Sequence, residues 1–513
     1  MKMEFMKYCF LTQAMIERIP IPMKKRQIAL LLALLCTLPG CAKEPAPVET
    51  TATSDTTTPA PVETELTDNL PEKDMDGAEV HMLNTAGDSL TWADVRVLAE
   101  ELDGEVVNDG LYNRQKTIEE RFNATMSQEE AGHGDIINLT KTMVSAGDTA
   151  YQAVFAAESG YGGMLPYVVS WNDIPYLQYT ERHWNPGATS IFEIDGKQTA
   201  LAGNVSLSVV SRAVCMVFNK RIFADHFTGE SLYEQVENNT WTLDTWLRYA
   251  TSVGADLDGD GAWTAADLYG LNMGRGFKGY IASFLGASGY HFTTNDAAGL
   301  PVFTMHTDEN TLNLVQKLMD IMTTGEGYYY NEDTSSHGFA PADLFSGGHT
   351  LFTQGVPHDI YKLREMEDDL GILPMPKLNE AQEQYYAASW GGHVLMLPKT
   401  MEPNGEVGEN LGILLEAMSF AGYYDLLPLY KEVALKSKTA RDEESAAMLD
   451  IIYASTTFDF GTNILYDSMI TPEILEVLWQ KKDPSIIVST CTAKEKKLAE
   501  YIDKMMTAVA DIP

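Results

Sequence analysis

The sequence is poor in cysteine, in positive charge and in catalytic signatures. Five cysteines are spread over 513 residues, and Cys9, Cys36 and Cys41 all stand near the N-terminus. Only Cys215 and Cys491 remain for a folded body, too few for a disulfide framework or a thiolate metal site. They are expected to pack as two buried free thiols rather than to form a bridge. There are 36 Lys and Arg against 73 Asp and Glu, a formal charge of −37. Such a surface repels phosphate backbones, which argues against nucleic acid as a partner. H-E-x-x-H, G-x-S-x-G and Walker A patterns are missing, and the body has no C-x-x-C. The 10 histidines are scattered. Acids are so numerous that a glycosidase pair would not stand out, which leaves a surface glycan-acting enzyme as an alternative.

The N-terminus carries an address. Lys24, Lys25 and Arg26 precede an apolar run of about 11 residues from Ile28 to Leu38. A bilayer span needs about 20 residues, so this run is the core of a signal peptide. Leu38-Pro39-Gly40-Cys41 resembles a bacterial lipobox, in which the Cys is diacylated and becomes the first mature residue. Residues 1–40 are therefore expected to be a lipoprotein signal peptide, with Met23 the better initiator, and Cys41 the lipidation site. Residues 41–75 are rich in Thr, Pro, Glu and Ala, a composition that cannot offset its ordering entropy. They read as a tether that holds the body outside a membrane by two acyl chains.

From about Gly77 the pattern changes to that of an α/β body. Ala78 to Leu83, Tyr151 to Ala156 and residues 213–219 read as strands. Leu111, Gln115, Ile118 and Phe122 form one helical stripe, and helix 309–322 and a C-terminal helix show the same period. Thr242 is placed to cap LDTWLRYA, with Trp241 and Trp246 as packing residues around that helix start.

Residues 256–267, DLDGDGAWTAAD, have the spacing of a calcium loop. Asp256, Asp258 and Asp260 stand at positions 1, 3 and 5, and Gly261 at the turn. Ala262 offers a carbonyl, Asp267 closes the loop, and Trp263 is its inward apolar anchor. Converging carboxylates repel one another until a hard cation balances them, so a structural Ca2+ is expected. An acidic surface turn is the plainer alternative.

Five stretches, in order, carry a resemblance: NDGLYNRQKTIEERFN at 108–123, CMVFNKRIF at 215–223, residues 240–271, LREMEDDLGILPMPKLNEAQEQYY at 363–386, and KSKTARDEESAAMLDII at 436–452. Together they resemble the family 1 extracellular solute-binding lipoproteins of ABC importers, of the Firmicutes type. The resemblance implies a two-lobed periplasmic-binding-protein-like fold of type II, with hinge-crossing strands and C-terminal helices. Lobe one would take residues 76–205, lobe two 206–387, and the return to lobe one with the C-terminal helices 388–513. The crossings would lie near 195–212 and 387–395. The implied role is capture of a small solute, a mono- or oligosaccharide, for delivery to an ABC importer permease at the outer face of the cell membrane. A sensory lipoprotein feeding a membrane kinase would share this fold.

Sugar sites pair aromatic faces with planar polar groups near strand ends or hinges. Trp390, between Ser389 and Gly391-Gly392, is the first candidate, and Trp171 with Asn172 and Asp173 is the second. Asn84 and Asp88 follow the first strand, while Trp92 and Trp184 are weaker candidates. Tyr328-Tyr329-Tyr330 reads as packing.

Overall fold

The computed structural model describes residues 67–512 apart from 88–92, 273–276, 298, 326, 331–342, 361–362, 364–365, 436–442, 466–467 and 482. The signal peptide, Cys41 and most of the tether lie outside the described residues. Strands β1 (Ala78–Thr85), β2 (Ala124–Ala131), β3 (Ala153–Ala157) and β4 (Val168–Val169) come first. Strands β5 (Cys215–Asn219), β6 (Tyr269–Asn272), β7 (Tyr329–Tyr330), β8 (Thr350–Gly355) and β9 (Leu370–Pro374) follow. Then come β10 (Ala387–Ala388), β11 (His393–Pro398) and β12 (Thr456–Thr457). Two five-stranded sheets result, one ordered β2-β1-β3-β11-β4 and the other β7-β6-β8-β5-β9.

Each sheet holds one strand that runs against the rest. In the first it is β11, antiparallel to β3 and β4. In the second it is β5, antiparallel to β8 and β9. Both are the strands by which the chain enters that lobe from the other. Their residues are buried throughout, as expected of strands covered on both faces. The two connecting passages touch: Leu201 and Leu395 exchange backbone hydrogen bonds, and the Val214 amide donates to the Ala388 carbonyl. A hinge motion between lobes is absorbed by a few residues of such connecting passages.

Helices cover the sheets for reasons visible in the residues. In Val106–Phe122, Glu105 caps the first turn by accepting from the Val107 and Asn108 amides, and Asn123 ends it in the left-handed region. Its Leu111, Gln115, Ile118 and Phe122 are buried, each large apolar side chain contributing roughly 1.5–3 kcal/mol. Thr242 does cap Leu243–Ala250, accepting the Thr245 amide at 3.3 Å, and Trp241 and Trp246 are enclosed. The helix expected at 309–322 runs Glu309–Thr324. Cys215 and Cys491 are both free and buried. Glu443–Ala454 packs on β9, while Ile487–Ala510 reaches back to Leu165–Tyr167 beside β4. The C-terminal helices thus brace both lobes.

Candidate functional site

The C-terminal ends of β1, β2 and β3 share one edge of the first sheet with the start of β11. Thr85 pairs with Ala131, and His393 pairs with Ala157. That edge carries Asn84 and Thr85, His133 just beyond β2, Glu158 just beyond β3, and His393. Ligands of open α/β sheets bind in this position.

Glu158 is the centre of the cluster and is 3% exposed. Its Oε1 accepts the Gly391 amide at 2.6 Å and the Asn463 Nδ2 at 3.3 Å. Its Oε2 is buried with no hydrogen-bond partner. Burial pushes the Glu158 carboxyl up to about 7, against the lowering influence of the Gly391 amide, its own amide, Asn463 and Arg212. Arg212 lies on the first crossing, and its Nε donates to the Trp390 carbonyl at 2.9 Å. Its Nη1 is 3.7 Å from Asp359, on the short helix after β8. His393 Nε2 lies 3.0 Å from Thr85 Oγ1, and burial pulls this imidazole down to about 3.

Trp390 is half-buried at this junction, and its main chain is fixed from both sides. Arg212 holds its carbonyl, Glu158 holds the next amide, and Asn463 donates to the Ser389 carbonyl at 2.9 Å. Gly391 turns here at φ 75, a conformation that a side chain disfavours.

The segment 458–463 separates this cluster from a groove of about 330 Å³. The groove brings Ser190 and Glu193 from the lobe-one excursion together with His291 and Asn295 from lobe two, and with Phe458 and Phe460. Asp459 Oδ1 accepts the Thr462 amide at 2.8 Å, and its Oδ2 lies 3.1 Å from His291 Nδ1. That carboxylate holds the His291 imidazole above its ordinary range. Mixed aromatic and planar polar lining of this kind suits a polyhydroxylated molecule.

The other expected residues fall differently. Trp171 is corrected: it is 0% exposed in the lobe-one core, packed among the β4 and crossing residues, and offers no face to a solute. Trp184 is equally enclosed, its indole N–H donating to Glu416 at 2.7 Å. Asn84 is 1% exposed; its Nδ2 donates to the Val95 carbonyl at 3.0 Å, while its Oδ1 is buried with no partner. Asn172 is exposed, but its amide closes a turn, donating to the Gly196 carbonyl at 2.7 Å and accepting the Gln198 amide at 2.8 Å. Asp173 is exposed beside it. Asp88 and Trp92 lie outside the described residues. Glu158, Arg212, His393 and Asn463 were not singled out from sequence. A lone acid in AAESG has no pattern that announces burial.

The Asp-rich loop sits apart from the junction. Carboxylate oxygens of Asp256, Asp258 and Asp260 lie within 4.8 Å of one another. A backbone hydrogen bond from the Asp260 amide pulls the Asp258 carboxyl down, but desolvation, then repulsion from Asp260, Asp267 and Asp256, raise it overall. Asp256 accepts the Gly259 and Gly261 amides, and Asp260 accepts that of Ala262 at 2.7 Å. Asp267 is buried and spends both oxygens on the Leu257 and Thr264 amides. Trp263 packs on Tyr269, ring centroids 5.6 Å apart. The first three acids fit a hard cation; Asp267 would have to give up an amide to join them.

No protein-family model matches this sequence, and no curated protein matches it either. Solved structures do match in fold. One is the cyclic alpha-maltosyl-1,6-maltose binding protein from Arthrobacter globiformis, 14% identical with a TM-score of 0.52, over 84% of this chain and 98% of that one. UspC of M. tuberculosis is 12% identical with a TM-score of 0.52, over 84% of this chain and 100% of that one. A cyclo/maltodextrin-binding protein complexed with maltotetraose is 12% identical with a TM-score of 0.50, over 85% and 98%. The likeness is one of fold: a two-lobed α/β binding-protein architecture.

Proposed function

We propose that this protein is an extracytoplasmic receptor, not an enzyme, that captures a mono- or oligosaccharide between its lobes and delivers it to an ABC importer permease. The observation that carries the reading is the pair of like-ordered five-stranded sheets joined by two touching crossings. A solute contacting both lobes favours the closed arrangement by its differential affinity alone, and a permease can then recognise the closed shape. The names of two fold relatives, which refer to a maltosyl-maltose and to maltodextrins, support a sugar. The groove of Ser190, His291 and Phe460 is one seat for it, and the half-buried Trp390 is the other. Diacylation at Cys41 and the tether to residue 75 would keep the receptor at the outer face of the cell membrane. Calcium in the 256–267 loop would be structural.

The experiment is a thermal-shift screen of mono- and oligosaccharides, followed by titration of the best binder against Trp390→Ala and Phe460→Ala. Loss of about tenfold in affinity, some 1.4 kcal/mol, is expected in at least one variant. Loss in Phe460→Ala alone seats the sugar in the groove; loss in Trp390→Ala alone seats it at the crossing. A panel with no sugar binder overturns the reading.

A further inference from the structure

The groove of about 330 Å³ is lopsided in charge. Its ionisable lining is Glu193, Asp459 and His291, and among the described residues no lysine or arginine lines it. Asp459 and His291 face each other at 3.1 Å, so any charge on the imidazole is set against that carboxylate. Glu193 is different. It is exposed on the short strand Glu193–Ile194, and it has no side-chain hydrogen bond or ion pair among the described residues. The basic side chain of the same hairpin, Lys197, is committed elsewhere, its ammonium donating to the Val509 and Ile512 carbonyls. One carboxylate at the groove is therefore left without a counter-charge.

The rest of the lining is amphipathic. Phe458, Ile502 and Met505 are buried and give the groove an apolar wall, with Phe460 half-buried beside them. Thr293 also lines it, is 5% exposed, and its hydroxyl makes no hydrogen bond among the described residues. A nearly buried hydroxyl without a partner is costly, and an occupant with a polar group removes that cost.

These features sort the classes of sugar. A uronate or a sugar phosphate would meet Glu193 with no basic side chain to offset its desolvation. A neutral sugar would use the apolar wall and Thr293 but gain nothing from Glu193. An ammonium uses all three, because aromatic faces attract a cation and Glu193 supplies the opposite charge. The formal charge of −37 also draws cations toward the molecule from a distance.

We propose that the groove selects a sugar bearing a free amino group, with the ammonium set against Glu193 and the ring packed beside Phe460. This rests on the sugar-receptor reading and narrows its substrate class from saccharides in general to amino sugars.

The test is calorimetric titration of the whole protein at pH 6, where the amines carry protons, with three trisaccharides: the glucosamine trimer, its fully N-acetylated form, and maltotriose. The glucosamine trimer should bind about tenfold tighter than either neutral form. Raising the salt from 0.05 to 0.5 M should remove most of that preference. Glu193→Gln, at an exposed position, should bring the three affinities within about threefold of one another, and Phe460→Ala should weaken all three. Equal affinities in the wild type, or a preference for the amine that survives Glu193→Gln, overturn the proposal. So does an unchanged titration in Phe460→Ala, which would put the sugar outside the groove. If a neutral trimer binds best, the amino-sugar assignment fails and the sugar reading stands. If none of the three binds, the assignment fails as well, and the sugar reading falls with it only when the wider panel of saccharides also gives no binder.

Discussion

Glu416 and Glu158 are both enclosed, at 0% and 3% exposure, yet their hydrogen bonds are distributed in opposite ways. Glu416 Oε1 receives His183 Nε2 at 2.7 Å and Gln178 Nε2 at 3.2 Å. Its Oε2 receives the Gln178 amide at 2.9 Å and the Trp184 indole N–H at 2.7 Å. Four donors saturate both oxygens and lock the 178–184 loop onto helix Glu406–Ala421. Glu158 has its donors on one oxygen and sits just beyond the end of β3. A saturated buried acid has all its bonds within one lobe; Glu158 leaves one buried oxygen bare. The same contrast separates two buried arginines. Arg114 places its guanidinium on the carbonyls of Val97, Asn204, Val205 and Met418, a purely structural bolt. Arg212 spans the lobes between Trp390 and Asp359.

The largest expected effect tests the saturated side. Glu416→Ala strands four donors in the lobe-one core and should lower stability by about 4 kcal/mol in urea unfolding. A loss below about 1 kcal/mol would break the comparison, because the four bonds would then be idle. Next comes the pH dependence of Glu158. A carboxyl whose folded value is raised stabilises fully below its unfolded value, and the benefit disappears as pH rises through the folded value. From about 4.5 to about 7 the wild type should lose on the order of 3 kcal/mol relative to Glu158→Gln, and the two curves should run parallel above pH 8. Taking the difference removes His291, raised by Asp459, and His393, lowered by burial, which titrate in both proteins. Curves parallel from pH 4 upward would mean that burial does not raise the Glu158 carboxyl. Trp184→Phe, which removes one donor from Glu416 and keeps the ring's packing, should cost about 2 kcal/mol, read by the same unfolding.

Much of the scaffold was legible because its signals are local. Alternation marked β1, the 3.6 period marked Val106–Phe122 and Glu309–Thr324, and the Thr242 cap is a matter of four consecutive residues. The junction was not legible, because burial of a single polar side chain is decided by residues far away in the chain: Asn463 lies 305 positions from Glu158. Trp171 misled for the same reason. Its polar neighbours Asn172 and Asp173 suggested a lip, but they face solvent while the indole turns under the first crossing into the core. Glu416 did leave a trace: one acid inside GILLEAMSFA, an otherwise apolar helix face, calls for donors from elsewhere.

The Asp-rich loop is a third way to arrange carboxylates, and it carries the smallest predicted effect. Its first three acids are partly or fully exposed and already hold backbone amides, so water screens much of their repulsion. A cation must therefore compete with solvent and, at Asp267, with the Leu257 and Thr264 amides. Calcium at ten times its Kd adds about 1.4 kcal/mol, which in a chain of this size is a rise of a few degrees in Tm. Chelation should remove that rise, and Asp256→Asn, which weakens the first ligand position, should abolish the response to calcium without changing the Tm of the chelated protein by more than about a degree. A calcium shift that survives Asp256→Asn would put the cation elsewhere on this acidic surface. No shift at millimolar calcium would mean that the amides alone satisfy the loop, which would then belong with Glu416 among the acids whose bonds are complete within the fold.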